Sequence, residues 1–110
     1  MFRNAVSLIL GALLLVGCSK PLPESKRNYT GEWHSEEMKL LILADGTVAY
    51  RRFKKGVSTS VNGTIKEFND NNFVVGFLFL TTTFEVTEPP HEVEEQWQMV
   101  VDGVRLTRIE

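Results

Sequence analysis

The stretch VEEQWQMVVDGVRLTRI, residues 93–109, is the part of the chain whose pattern speaks most specifically about the fold. Apolar and polar side chains alternate through residues 93–101, which is typical of a strand with one buried face. Asp102-Gly103 follows, a dipeptide that favours a tight hairpin turn because it tolerates positive φ. A second alternating segment, residues 104–109, completes the pattern. The stretch therefore predicts an antiparallel hairpin.

The rest of the chain from Tyr29 onward has the same character. No window of ten or more residues keeps a helical apolar period, and β-branched and aromatic residues dominate. Eight strands are expected, at residues 30–34, 38–43, 47–53, 58–68, 72–77, 80–86, 93–101 and 104–109. This is about ten residues per strand and turn, which is typical of barrels and sandwiches. We predict an all-β domain, an antiparallel meander closing into a small barrel of about seven to eight strands; a β-sandwich is the alternative.

The beginning of the chain reads as a targeting segment. Arg3 precedes a nearly apolar run, residues 5–16, which as a helix spans roughly 18 Å and is too short to cross a bilayer. The run ends in Leu15-Val16-Gly17-Cys18, which resembles the lipobox of bacterial lipoproteins. The resemblance implies that residues 1–17 are a signal peptide cleaved before Cys18. It also implies that Cys18 carries diacylglycerol and an acylated amine.

Such an anchor predicts where the protein resides. Several acyl chains together hold a protein to a membrane almost permanently. In lipoproteins of this kind an aspartate after the cysteine favours retention in the inner membrane, and here Ser19 follows. We therefore expect a lipid-anchored protein on the periplasmic face of the outer membrane. Residues 18–28, rich in proline and charge, are expected to be the acylated cysteine and an extended tether, and residues 29–110 the folded domain.

Gly31-Glu32-Trp33 resembles the Gly-x-Trp motif of calycins, the group that includes lipocalins and fatty-acid-binding proteins. In those folds an arginine from the last strand packs across the tryptophan, and Arg108 is the matching candidate. The whole domain is also similar to small lipocalin-like lipoproteins of Gram-negative bacteria. These resemblances imply a lipocalin-like barrel in the cell envelope and no particular chemistry. We expect the Arg108 guanidinium within about 6 Å of the Trp33 indole.

Large side chains at alternating positions are candidates for the barrel interior. An interior of eight strands is just wide enough for side chains or one small ligand. The same residues are therefore candidates for a packed core or for the lining of a small lipophilic pocket. They are Trp33, Phe73, Phe77, Phe84, Trp97 and Arg108.

The run at residues 73–80 is apolar on both faces, so one barrel face cannot bury all of it. Three coverings are open: a partner protein, a second copy of the chain, or a bend at Gly76 that folds the outer half back. Val74 and Leu78 are the candidate interface residues of this run. Pro89-Pro90 predicts a stiff exposed loop, a further candidate contact.

Several function classes are disfavoured. A net charge of −2 with scattered Lys and Arg gives no footprint for nucleic acid. A single cysteine allows no internal disulfide and no thiolate zinc site, and no catalytic or phosphate-binding motif occurs. The segment in which His91 is flanked by glutamates is interpreted as a solvated acidic loop rather than a metal site. No cofactor is predicted. The basic run at residues 51–55 is read as a solvated strand end, with contact to anionic headgroups or an acidic partner as the alternative.

The leading hypothesis is a non-enzymatic envelope lipoprotein that acts as a protein-binding or assembly module. It rests on the absence of catalytic machinery together with the excess apolar run at residues 73–80. A carrier of a small lipophilic molecule is the first alternative, as Gly-x-Trp implies. A periplasmic inhibitor of a lysozyme or peptidase is the second. The expected partners are the membrane, through the acyl chains, and an envelope protein, a second copy or a lipophilic ligand.

Overall fold

The computed structural model describes residues 20–109, so Cys18 and the predicted signal peptide lie outside the described residues. A 3₁₀ helix, Glu24–Tyr29, precedes nine strands. The strands are β1 (Gly31–His34), β2 (Met38–Ile42), β3 (Thr47–Lys54), β4 (Val57–Asn69), β5 (Asn72–Phe77), β6 (Leu80–Phe84), β7 (Val86–Val93), β8 (Gln96–Val101) and β9 (Val104–Ile109). The predicted all-β class is confirmed.

All nine strands form one antiparallel sheet in the order β6-β5-β4-β3-β2-β1-β9-β8-β7. Consecutive strands pair as a meander, and β1 also pairs with β9, with Trp33 opposite Arg108. The sheet curls around its buried face and forms a half-barrel. One curled sheet, rather than the two packed sheets of a sandwich, is the architecture.

The two edges of the sheet are consecutive in the chain. Phe84 ends β6 and Val86 begins β7, so only Glu85 separates the two edge strands. The Glu85 N–H donates to Asp102 Oδ1 (2.9 Å), and Glu85 O accepts from the Asp102 N–H (2.7 Å). Residues 80–93 are thus one long path whose first half pairs with β5 and whose second half pairs with β8. The sheet edges meet at Glu85, and β6 and β7 each have one side unpaired in the sheet.

The prediction of an exposed loop at Pro89-Pro90 is wrong, because the pair lies inside β7. Proline lacks the N–H of a ladder bond, which an edge strand tolerates on its unpaired side. Register shifts on either side of Glu88, the second of them reaching His91, absorb the irregularity. Pro90 is buried and Pro89 is exposed. The reversal follows at residues 94–95, where both glutamates have positive φ.

Apolar side chains fill the centre of the curled sheet. Phe73 and Phe84 stack with ring centroids 5.0 Å apart, and Tyr50 meets Phe84 edge-on at 4.9 Å. The buried apolar residues are Leu22, Tyr29, Trp33, Met38, Leu40, Ile42, Val48, Ile65, Phe73, Val75, Phe84, Val86, Met99, Val101 and Leu106. The centre is a packed core and leaves no room for a deep calyx.

The segment predicted as an extended tether is in part folded onto the domain. The Leu22 side chain is buried, and its N–H donates to Ala44 O (3.1 Å). The Tyr29 hydroxyl donates to Asn71 O (2.8 Å), and Lys26 Nζ donates to Asp70 O (2.7 Å). The 3₁₀ helix therefore covers one end of the barrel, which we call the base. Composition suggested a tether because one leucine between prolines carries no periodic signal.

Candidate functional site

The β5–β6 hairpin ends in four consecutive exposed apolar side chains. Phe77 pairs with Leu80, which leaves Leu78 and Phe79 as a two-residue turn. The exposed fractions are 55 % for Phe77, 78 % for Leu78, 88 % for Phe79 and 60 % for Leu80. Leu78 and Phe79 are the two most exposed large apolar side chains among the described residues. We call these four residues the apolar tip.

The backbone of the apolar tip does not suit its side chains. Leu78 has φ 57°, in the left-handed region that glycine, asparagine and aspartate adopt most readily. For an L-residue with a large side chain this conformation costs about 1–2 kcal/mol. The other described non-glycine residues with positive φ are all polar: Lys55, Asp70, Glu94, Glu95 and Asp102. Turn geometry therefore does not explain the leucine, which is both strained and exposed.

An open hollow lies beside the apolar tip, on the inward face of the sheet. Its volume is about 410 Å³, and its lining residues are Ser60, Val61, Asn62, Val75, Phe77, Leu80 and Thr82. Val75 pairs with Thr82 and Phe77 with Leu80, so one face of the β5–β6 hairpin forms one wall. Deeper in, Phe73 and Phe84 fill the core. The hollow is a shallow mouth that is large enough for a small apolar group.

The bend expected as one alternative at Gly76 is absent. β5 runs through Gly76 to Phe77, and each residue of this stretch is paired with β6. Glycine here makes room for Lys66, because a Cβ at Gly76 would lie 2.5 Å from Lys66 Cε. Of the two candidate interface residues, Leu78 is exposed and Val74 is half-buried. The outer half of the apolar run stands in solvent at the apolar tip.

Basic, uncharged and acidic side chains are concentrated in three separate segments of the sheet. The β3–β4 hairpin adjoins β5, and residues 46–66 contain five Lys or Arg and no Asp or Glu. Residues 71–84, which include the β5–β6 hairpin, contain no charged residue. Residues 85–95, spanning β7 and its turn, contain five glutamates. The β5–β6 hairpin is therefore uncharged, and Lys66 of the neighbouring strand packs across it at Gly76.

Arg108 packs against two indoles near the base. Its Cζ atom lies 5.7 Å from the Trp33 ring centroid and 5.0 Å from that of Trp97. Arg108 Nη1 also donates to Thr30 O (3.4 Å). The predicted contact between Arg108 and Trp33 is confirmed, and Trp97 is a second ring that the motif did not indicate. Arg108, Trp33 and Trp97 therefore pack together and have a structural role.

Gly31 leaves space for the Arg108 side chain beside Trp33. Its φ is 135°, and a Cβ there would lie 2.5 Å from Arg108 Cδ. Any other residue would push the arginine away from the Trp33 indole. In this chain Gly31 therefore permits the Arg108 side chain to cross β1.

Near His91, Glu88 forms an exposed ion pair with Arg105. Arg105 donates to both carboxylate oxygens of Glu88 (3.0 Å each), and this hydrogen bonding lowers the pKa of Glu88. His91 Nδ1 lies 2.8 Å from Pro89 O. Across residues 20–109, no group of three or more His, Cys, Asp or Glu side chains is arranged to hold a metal ion. In the same range no helix is long and apolar enough to cross a membrane.

These features define a class: an all-β protein whose curled antiparallel sheet has a filled centre and an exposed apolar hairpin end. Comparison of the chain with models of protein families, with curated proteins and with solved structures finds no match. The resemblance to a lipobox is based on residues 15–18 alone, and the resemblance to Gly-x-Trp on residues 31–33.

Proposed function

We propose that the protein is a non-enzymatic lipoprotein, anchored through Cys18 to the periplasmic face of the outer membrane, whose barrel presents the apolar tip to another envelope protein. The observation that carries this proposal is the strained and exposed Leu78 beside Phe79. Soluble proteins seldom keep several large apolar side chains together in water without a use. A two-residue turn requires positive φ at its first position, but it does not require a leucine there, and strain that a less suitable residue retains is typical of functional positions.

The position of the N-terminal segment supports a protein partner over the anchoring membrane. Lys20, two residues after Cys18, begins the segment that docks on the base through Leu22. β3 starts at the turn beside Ala44 and runs eight residues, about 25 Å, away from it. β5 likewise starts at the turn bonded to the 3₁₀ helix and runs to the apolar tip. With the anchor at Cys18, the apolar tip faces away from the bilayer that holds it.

The experiment is photo-crosslinking in intact cells with benzoylphenylalanine at Phe79, and at Val93 as the matched exposed apolar position in β7. The Phe79 probe is expected to give one discrete adduct with an envelope protein, and the Val93 probe none. An adduct that consists of two copies of this chain, an adduct with lipid only, or no adduct at Phe79 would overturn the proposal.

A carrier of a small lipophilic molecule is the second candidate, favoured by the hollow of about 410 Å³ beside Phe77 and Leu80. Such a ligand would lie in the mouth, because Phe73 and Phe84 occupy the centre. Native mass spectrometry of the purified full chain distinguishes the two candidates. A carrier retains a bound lipophilic molecule, and a protein-binding module does not. A tight complex with a lysozyme or peptidase would instead support the inhibitor alternative.

A further inference from the structure

The outer side of β6 is an unpaired sheet edge. The pair of Phe77 and Leu80 closes a two-residue turn, which makes it a hydrogen-bonded pair. Hydrogen-bonded and non-hydrogen-bonded pairs alternate along an antiparallel ladder, so the N–H and C=O groups of Thr81 and Thr83 point away from β5. Residues 80–83 are all exposed. The edge therefore offers two backbone donors and two backbone acceptors in register.

The β7 edge of the sheet carries features that prevent pairing with a further strand, whereas the β6 edge does not. β7 carries Pro89 and Pro90 and two register shifts, devices that prevent another strand from pairing with an edge. β6 has the sequence Leu-Thr-Thr-Thr-Phe, with no proline, no charge and no bulge against β5. Sheet edges of this kind are templates for strand addition. The difference between the two edges indicates that β6 is left open for a partner strand.

The hollow and the local charge indicate the sequence of that strand. Leu80 and Thr82 line the hollow, so inward side chains of a strand added to β6 would enter it. Outward side chains would approach Lys66, whose side chain crosses Gly76 in the neighbouring strand. Residues 80–84 of β6 are themselves uncharged, and Glu85 follows them. An acidic segment is attracted to Lys66, the charged side chain that lies over the β5–β6 hairpin.

We infer that the partner protein adds an extended, acidic segment to β6, with apolar side chains at alternate positions directed into the hollow. This inference rests on the proposed function of the apolar tip and deepens it. The apolar tip supplies side-chain contacts, and β6 supplies the backbone hydrogen bonds that align the partner.

The probe is a synthetic peptide of alternating Glu and Val, seven residues long, titrated into the detergent-solubilised full chain. Amide hydrogen exchange by NMR is expected to slow about tenfold at Thr81 and Thr83, the gain of roughly one hydrogen bond to each. Thr81→Pro removes an outward N–H and should weaken binding about tenfold. Thr81→Val keeps that N–H and should bind within about twofold of the native chain. A Lys-Val peptide of the same length should bind more weakly, and Lys66→Glu should reverse this preference.

Protection of other amides, equal binding of the Glu-Val and Lys-Val peptides, or equal loss in Thr81→Pro and Thr81→Val would overturn the inference. Protection of Thr81 and Thr83 without peptide, with a doubled mass in sedimentation, would assign the edge to a second copy and overturn it as well. If the Phe79 crosslink persists in Thr81→Pro cells at native yield, the proposed function stands and strand addition fails. If the Phe79 crosslink is absent in native cells, the proposed function itself fails.

Discussion

At the scale of single residues, the packing of Arg108 near the base depends on the indoles and the glycine around it. Arg108 holds Trp33 and Trp97 together, and Gly31 leaves the space for it. The resemblance of Gly31-Glu32-Trp33 to the Gly-x-Trp motif predicted the first of these contacts. It did not indicate Trp97, which the register of the β8–β9 hairpin, with Thr107 opposite Gln98, brings beside Arg108.

Arg108→Ala is expected to destabilise the domain. The loss of cation–π contacts to one buried and one partly buried indole corresponds to about 1–3 kcal/mol, or several degrees of Tm. Arg105→Ala is the matched control on the same strand, because its pair with Glu88 is exposed and contributes little. Thermal unfolding by circular dichroism measures both variants. Equal Tm losses would show that Arg108 has no special role.

Because Tyr29 is buried, the free energy of unfolding is expected to fall at alkaline pH. Burial raises the pKa of Tyr29 to about 12, whereas the unfolded chain releases this proton near pH 10. Between these values the unfolded state binds fewer protons, so the free energy of unfolding falls as pH rises, by up to about 2–3 kcal/mol. Urea unfolding at pH 9 and pH 11.5 measures the change. Tyr29→Phe should have a smaller alkaline loss, and an equal loss in that variant would exclude Tyr29 as the cause.

At the scale of elements, hairpin chemistry was more informative than composition. Asp102-Gly103 correctly marked a turn, whereas the alternation through residues 93–101 marked β8 but extended it across the turn at residues 94–95. The turn at residues 94–95 was not predicted, because glutamates seldom adopt positive φ and gave no local signal. Pro89-Pro90 was misread, because sequence does not show that its strand lies at a sheet edge.

The candidate site was only partly predictable for a related reason. Residues 73–80 exceed what one barrel face can bury, and that much follows from the sequence. Which part remains exposed depends on where the turn falls, and Leu78-Phe79 carries no turn signal. Leu78 was identified, whereas the adjacent free edge and the hollow appear only once strand order is known.

Leu22→Ala tests whether the segment before β1 belongs to the folded domain. Leu22 is buried at the base, so the substitution should lower the free energy of unfolding by about 2–3 kcal/mol. Ser25→Ala, at an exposed position in the 3₁₀ helix, should have little effect. Chemical denaturation of the two variants gives the comparison. A Leu22→Ala protein as stable as the native chain would restore the extended tether.

At the scale of the whole molecule, the base and the apolar tip lie at opposite ends of the barrel. The N-terminal segment docks at the base, and the strands β3 and β5 run from there toward the two hairpins. A lipid anchor at Cys18 would orient the basic hairpin and the apolar tip toward the periplasm. The function proposed for the apolar tip depends on this orientation.

Cys18→Ala tests the anchor. A lipobox without its cysteine cannot be acylated, so unprocessed precursor is expected to accumulate in the inner membrane. Membrane fractionation and the intact mass of the variant measure this, with Ser19→Ala as the control that should remain processed. Cleavage of Cys18→Ala and its arrival at the outer membrane with the mass of the native mature chain would contradict the lipoprotein proposal.

The decisive measurement is Leu78→Asn, followed in parallel by unfolding and by the Phe79 crosslink in cells. Asparagine adopts positive φ more readily than leucine, so the variant is expected to gain about 1 kcal/mol of stability. The same substitution removes an apolar side chain from the binding surface, so the crosslink yield should fall by about tenfold. Opposite changes in stability and binding are the result we predict. A more stable variant with an unchanged crosslink, or a less stable one, would contradict the assignment of the apolar tip as a binding surface.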